Sequence, residues 1–400
     1  KDKQKLVVVS PEGHALQTEV TDIFEHNWLV DSPKKIVREK TTIATGSALE
    51  NALEGYYEDI AHISDSQVKE TIEAAKEVCT YMLSRLKKSG KLFGFKFKDI
   101  VYYGSAFDDT RVISSNVADI LILFDNFKCK VDDLEAGYKM VPLPLHCNKG
   151  TKCTKKDWYA FGRSDDGTYL SSLLVAWRLH ALVERSLRFN RAADVQVFTV
   201  EDGKPHTTVI YKGQYTINIS AATYVKSEDV YLVTKPYESD ENVQSDMLWR
   251  ISHAFKERVI LDRIDHADRG TRRKAFKILK SLVQTEHTLR GLSSYQLKTV
   301  LMHAFDKEID TTPRWQRPNL HQCFLTLLEE LLSRLLDQDL PHFFERDFNL
   351  FKNVGFRKLK SLQMRVNFLI NNEKELIRVL NKRQHFLKLD ADGQPRPFTL

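Results

Sequence analysis

Cysteine is scarce in this chain: five in 400 residues, an odd number at spacings that build no disulfide framework. That excludes a small scaffold stapled by bridges. It implies a reduced, intracellular setting in which Cys79, Cys129, Cys147, Cys153 and Cys323 are mostly buried thiols. No run of about 18 apolar residues occurs, so no segment reads as a membrane-spanning helix. No signal-like apolar stretch follows the opening Lys-Asp-Lys. Membrane attachment is therefore expected only through a segment outside this chain. Low-complexity tracts are absent, and charge of one sign is in short supply. Sixty Lys and Arg against 54 Asp and Glu leave +6, which permits an anionic ligand without demanding nucleic acid.

What is present is an ordinary globular composition, 42% hydrophobic over 400 residues, enough for two lobes. Residues 1–50 read as a mixed N-terminal extension in which "LVVVS" and "NWLV" are short strands. From Ser64, Ser and Asp cap candidates open a helix that puts Val68, Ile72, Ala75, Val78, Cys79 and Met82 on one stripe. "DIVYYGS" and "ADILILF" read as strands, followed by "YKMVPLPL", "DVQVFTV", "TTVIY", "QYTINIS" and "VYLVTKPY". A helix over 169–187 divides that series. From Ser245 the pattern turns helical: "LWRISHAFKERVILDRI", "RRKAFKILKSLVQ", "SSYQLKTVLMHAF", "NLHQCFLTLLEELLSRLLDQ" and "SLQMRVNFLINNEKELIRVLNKR" are amphipathic helices. The expected fold is α+β and bilobal. An α/β lobe over 51–245 precedes an all-α lobe over 246–400, with a cleft between them where a small ligand sits.

Within the first lobe, Gly104-Ser105 ends a strand, and thirteen positions after Gly104 comes Val117, with Asp119 two later. Alternate strand residues share a face, so the side chains of Val117 and Asp119 project together toward the Gly-Ser turn. Two carboxylates at such positions would grip Mg²⁺ beside a substrate's phosphates, and a third from a neighbouring strand would complete the site.

These residues, with "TINIS", "LWRIS" (248–252), "RRKAFKILKSL" (272–282), "LSSYQLKTVLMH" (292–303) and "LPHFFERDFNLF" (340–351), resemble the male-abnormal-21 and cyclic GMP-AMP synthase branch of the nucleotidyltransferase fold. The likeness runs from about residue 50 to 355. "YYEDI", "GSAFDDTRV" and "LVTKP" are most similar to the mitochondrial dynamics receptors of the outer mitochondrial membrane, whereas "SSYQLKTVLMH" and "FNLF" fit the synthase-like members equally well. The resemblance implies a nucleotidyltransferase fold, the acids of a two-metal site, and residues that hold a nucleotide. Two of the three acids are replaced, by Val117 and, in "YTINIS", by Asn218; Asp119 remains. Phosphoryl transfer depends on that charge, so the chain is expected to be a pseudoenzyme requiring no cofactor and no metal. Asp108, Asp109 and Asp125 lie in the turn or at the strand end rather than on the metal-facing positions.

By the same resemblance, Gly104, Ser105, Ser252, Lys280, Ser294 and Tyr295 bind ADP or another nucleotide, the tyrosine ring stacking a base and the lysine reaching a phosphate. A core aromatic and a solvated helix charge are the plain alternatives for Tyr295 and Lys280. The implied role is an adaptor that recruits a protein partner, a dynamin-related fission GTPase, on the cytosolic side of the outer mitochondrial membrane. The alternatives are a synthase-like receptor that senses nucleic acid and makes a cyclic dinucleotide, and a scaffold with a closed cleft. Two basic segments, Lys149–Lys156 and "RGTRRK" (269–274), offer only weak support for a nucleic-acid partner and read as solvated charge. His146, Cys147 and Cys153 lack a fourth zinc ligand and read as a basic loop. The sequon at Asn218 falls inside a strand.

Overall fold

The structure, a computed structural model, describes residues 8–9, 15–16, 46–89, 97–112, 116–124, 132–135, 137–141, 161–164, 167–189, 195–199, 207–234, 245–268, 270–309 and 319–382. The chain divides into two compact units, 1–44 and 45–400. In the first, β1 (Val8–Val9) pairs antiparallel with β2 (Ala15–Leu16), the former within "LVVVS". "NWLV", Asp125, Cys129, the 142–160 loop with His146, Cys147, Cys153 and its lysines, and Arg269 lie outside the described residues.

The second unit opens with helix α1 (Gly46–Tyr56), which runs through one wider turn at Tyr57–Ala61 before α2 (Asp65–Ser89). The expected stripe on α2 is where Ala75, Val78, Cys79 and Met82 are buried. Helix α1 carries little sequence signal: it is eleven residues long and has an interior Gly55.

Beyond α2, β3 (Phe97–Tyr103), β4 (Val117–Phe124), β5 (Asp132–Glu135) and β6 (Tyr138–Met140) come first. A separate pair follows, β7 (Phe161–Ser164) with β8 (Gly167–Leu170), then helix α3 (Ser172–Phe189). The strands β9 (Val195–Thr199), β10 (Thr207–Tyr211), β11 (Tyr215–Val225), β12 (Val230–Val233) and β13 (Leu248–Ser252) complete the lobe. Nine strands form one mixed sheet in the order β3-β4-β11-β12-β13-β6-β5, with β10 on β11 and β9 outside it. Among the described strands β4 and β11 are the parallel pair, with Asp119 opposite Asn218. Helices α2 and α3 cover one face through a core of Ala75, Val78, Met82, Val175, Leu179, Ile120, Ile122 and Ile217.

The helical part comprises α4 (Ala254–Asp268), α5 (Thr271–Thr285), α6 (Ser294–Ile309), α7 (Leu320–Asp337), α8 (Phe356–Asn371) and α9 (Glu373–Leu380). Leu49, Leu53 and Tyr56 of α1 pack into its core with Phe276, Leu279, Phe305, Phe324 and Leu362. The α+β bilobal architecture is therefore as expected.

Three elements differ from the sequence reading. "LWRIS" is strand β13 rather than the start of a helix, because its alternating Trp249 and Ile251 complete the sheet while His253 opens the turn into α4. Tyr169 and Leu170 belong to β8, and the α3 helix starts only after Ser171, whose hydroxyl accepts from the Leu174 amide. The last predicted helix is two, broken at Asn372, whose side chain caps α9 through the Glu375 amide at 3.0 Å.

Candidate functional site: the cleft and its clasp

Strand β3 delivers the chain to Gly104, which sits at φ +83°. A β-carbon there would lie 2.6 Å from Asp119 Oδ2, so both the backbone and the close approach require glycine. The turn then closes on itself, with the Phe107 and Asp108 amides donating to the Gly104 carbonyl and the Thr110 amide to Ser105. On β4, Ala118 and Ile120 are buried while Val117 and Asp119 face the other way, the shared face that their spacing predicts. Asn218 reaches across from β11: its Nδ2 donates to Asp119 Oδ1 at 2.9 Å, and its Oδ1 accepts from Thr208 at 3.1 Å. Val117, Asp119 and Asn218 thus present an isopropyl group, one carboxylate and an amide already bonded to that carboxylate. A lone carboxylate so placed does not fit the two-cation site that the fold family uses. Asn218, moreover, uses both ends of its amide inside the sheet.

From the helical side, three hydrogen bonds clasp the Gly104–Thr110 turn. Lys298 Nζ on α6 donates to Asp108 Oδ2 at 2.8 Å and to Glu257 Oε2 on α4 at 3.2 Å. Lys277 Nζ on α5 donates to Asp109 Oδ1 at 2.6 Å, and Lys280 Nζ donates to the Thr110 carbonyl at 2.9 Å. Arg273 adds its guanidinium 3.6 Å from Asp109. The three α5 cations stand at i, i+4 and i+7, one helix face. Burial pushes the Lys280 ammonium down to about 8, against the pull of nearby Asp108. Burial also works against the charge of Lys298, but Asp108 and Glu257 outweigh it and hold that ammonium above its ordinary range.

Tyr295 continues the chain of bonds. Its hydroxyl lies 2.9 Å from Glu257 Oε1 and 2.7 Å from His342 Nε2. His342 Nδ1 accepts from the amides of Phe344 and Glu345, so the ring's proton is on Nε2 and points at the tyrosine oxygen. Tyr295 must then donate to Glu257. Burial pushes His342 down to about 3, with His253 close by adding to the effect. The Tyr295 phenol is held well above its usual value by burial and by Glu257. The Tyr295 ring is stacked on His342 at 5.7 Å and flanked by Arg250. Glu345 closes the chain on His253 Nε2 at 2.8 Å, and that bond lowers the Glu345 carboxyl.

The predicted nucleotide residues are thus placed as follows. Gly104 and Ser105 form the turn, Ser252 ends β13 half-buried opposite Tyr231, and Ser294 is exposed at the start of α6. The capping residue of α6 is Ser293, which exchanges bonds with Gln296. Lys280 and Tyr295 are engaged within the protein. The cavity at the turn, bounded by Tyr103, Gly104, Asp108, Phe255, Glu257 and Lys298, holds about 90 Å³. Small-molecule pockets usually offer about 300 Å³ or more. The larger basin, about 610 Å³ between Glu54, Tyr57, Asp109, Arg273, Lys274 and Lys277, contains none of the six predicted residues.

Sequence reasoning missed Asp108, Asp109, Glu257, Lys277, Lys298, His342 and Glu345 as members of this site. The adjacent acids after Gly-Ser and the i, i+4, i+7 cations of α5 were the available signals. One reading needs correction. Arg272 and Arg273 of "RGTRRK" are not solvated charge: both are buried, Arg272 lies 4.7 Å over the Phe305 ring, and Arg273 faces Asp109, Asp262 and Asp265. Among the described residues no cluster of His, Cys, Asp and Glu is arranged to hold a metal. Cys79 and Cys323 are buried thiols outside any disulfide, and burial pushes Cys79 up to about 12.

A mixed sheet ending in a Gly-Ser turn, facing a helical lobe across a cleft, defines a bilobal nucleotidyltransferase-fold protein. Residues 271–368 match the family model of the Mab-21 protein HhH/H2TH-like domain. The chain is 28% identical over 207 residues to mitochondrial dynamics protein MID49 of Xenopus laevis, covering 49% of this chain and 42% of that protein. It is 27% identical over 180 residues to cyclic GMP-AMP synthase-like receptor 3 of Stylophora pistillata, covering 43% and 52%. Cyclic GMP-AMP synthase of Mus musculus is 20% identical over 358 residues, covering 78% and 68%. In the first two matches the alignment spans about half the length of the relative. Residues 271–368 thus match a Mab-21 domain, and the chain as a whole is similar to Mab-21 and cyclic GMP-AMP synthase-like proteins of the nucleotidyltransferase fold. No helix among the described residues is long and apolar enough to cross a membrane.

Proposed function

We propose that this chain is a catalytically silent nucleotidyltransferase-fold adaptor whose cleft braces the two lobes together while its surface recruits a protein partner. The observation that carries this reading is the Asp119–Asn218 bond beside Val117. Two cations next to a triphosphate need several carboxylate oxygens, and each missing ligand removes several kcal/mol (roughly) of transition-state stabilisation. The likeness to a mitochondrial dynamics protein supports a dynamin-related fission GTPase as partner, at the cytosolic face of the outer mitochondrial membrane, with an anchor outside this chain.

Gly104, Ser105, Ser252, Lys280, Ser294 and Tyr295 remain the residues that would meet ADP or another nucleotide. Such a ligand would have to displace the Lys280–Thr110 and Tyr295–Glu257 bonds, so nucleotide binding and the brace compete. For the chain's division we propose 1–50, 51–245 and 246–400, with α1 and β13 each crossing to the other side's core.

The test has two arms. Incubation with ATP, GTP and Mg²⁺ or Mn²⁺, with and without double-stranded DNA or RNA, should release no pyrophosphate and form no dinucleotide. Co-sedimentation with a purified dynamin-related GTPase should retain the chain. Nucleic-acid-stimulated product would replace the adaptor reading with the synthase-like one; silence in both arms would leave the fold without this partner.

A further inference from the structure

The outward face of α8 carries an apolar and cationic surface that the cleft does not explain. Leu359, Leu362, Val366 and Leu369 are its buried stripe. At 100° per residue the opposite side centres on Met364, with Phe356 and Phe368 on either side of it and Arg357 and Lys360 between them. Phe356, Met364 and Phe368 are 63%, 59% and 47% exposed, three of the six large apolar side chains so exposed among the described residues. No carboxylate occurs anywhere on α8.

The charge around this face decides its partner. Between Lys352 and Lys382 there are eight lysines and arginines and two glutamates, an excess equal to the +6 of the whole chain. One of the two, Glu375, is held by Arg365 at 3.0 Å and by Arg378 at 2.6 Å, so it offers little free negative charge outward. A duplex nucleic acid would use the cations but gain little from two phenylalanines and a methionine on a convex face, and a single strand, which could stack on the rings, is separated by the test below. A convex helix face with bulky apolar tips set among Lys and Arg suits the interface of a bilayer with anionic headgroups, where the tips enter the acyl boundary and the cations meet phosphate.

We propose that the α8 face docks this protein peripherally on an anionic lipid surface. The inference stands independently of the adaptor reading, because it uses neither the cleft nor a partner protein.

Co-sedimentation with vesicles of phosphatidylcholine containing about 30% phosphatidylserine, against phosphatidylcholine alone, tests it on the full chain. The protein should pellet with the anionic vesicles, release as salt rises to about 0.5 M, and stay in solution with the neutral ones. The triple variant Phe356→Glu/Met364→Glu/Phe368→Glu should lose about tenfold or more in partitioning with its melting temperature unchanged. Should that variant be destabilised, Arg357→Glu/Lys360→Glu provides the same readout. Leu174→Glu/Trp177→Glu, exposed on α3, should bind as the unaltered chain does. Equal pelleting with neutral vesicles, or undiminished binding by both α8 variants, overturns the proposal. So does a concentration-dependent dimer abolished by the triple variant, which would seat a second copy on this face, or binding to DNA or RNA that the triple variant keeps.

Discussion

The two walls of the cleft differ in how their polar groups are used. The sheet side offers Val117, Asp119, Asn218 and the Gly104 turn. The Asp119 carboxylate is bonded to its neighbour Asn218. The helical side is richly charged, yet Lys277, Lys280 and Lys298 all point into the Gly104–Thr110 turn. Beside the turn, between Tyr103, Glu257 and Lys298, lies a cavity of about 90 Å³. What the difference teaches is that cations bordering a nucleotidyltransferase cleft can hold the lobes together as well as hold phosphates.

Removing one buried member of the clasp should show the largest effect. Glu257 accepts from Tyr295 and Lys298 and is only 5% exposed. Glu257→Ala leaves a buried ammonium with one partner fewer and should cost about 3–5 kcal/mol in urea denaturation. A loss under ~1 kcal/mol would mean the clasp is not a brace.

On the front wall, Gly104→Ala should cost about 2–3 kcal/mol through its positive φ and the clash with Asp119. In an Asp119→Ala background the same change should cost about 1 kcal/mol less, a coupling that a double-mutant cycle measures.

Lys280 gives a pH signature for the rear wall. Its folded-state value of about 8 lies below the ordinary 10.5, so between these values the unfolded chain binds more protons. Stability should therefore rise with pH from about 8 to about 10.5, by up to ~3 kcal/mol relative to Lys280→Met. A flat difference across that window would show that the ammonium is not desolvated.

The smallest effect is a gain. Val117→Asp/Asn218→Asp should acquire a Mg²⁺-dependent stabilisation of about 1.4 kcal/mol at tenfold excess over the dissociation constant. The unaltered chain should show none by the same melting assay.

Much of this was legible in the sequence where local pattern and fold agree. The alternation of Val117 and Asp119, the α2 stripe and the rear helices follow from periods of 2 and 3.6. "LWRIS" misled because five residues joined directly to a helix are too few to separate a period of 2 from one of 3.6, and its pairing with β12 and β6 is set by tertiary contacts. The break at Asn372 was hidden because a polar residue on an exposed helix face and a cap look alike until the turn is seen. The clasp was the least legible part. Asp108 and Lys298 are 190 residues apart, and nothing in either neighbourhood names the other. Ser252, Lys280 and Tyr295 could be named only through resemblance, and resemblance does not reveal that two of them already have partners within the fold.

The central claim, that the cleft braces rather than catalyses, is tested most directly by melting the purified chain with ADP, ATP and GTP, each with and without Mg²⁺. A nucleotide at 100 times its dissociation constant adds about 2.7 kcal/mol, a clear rise in melting temperature. The account predicts no Mg²⁺-dependent rise with any of the three, and that any rise seen without the metal disappears in Lys280→Ala and Tyr295→Ala. A rise that requires Mg²⁺ would contradict it, because the cleft would then hold a metal–nucleotide complex that Val117 and Asn218 should not support.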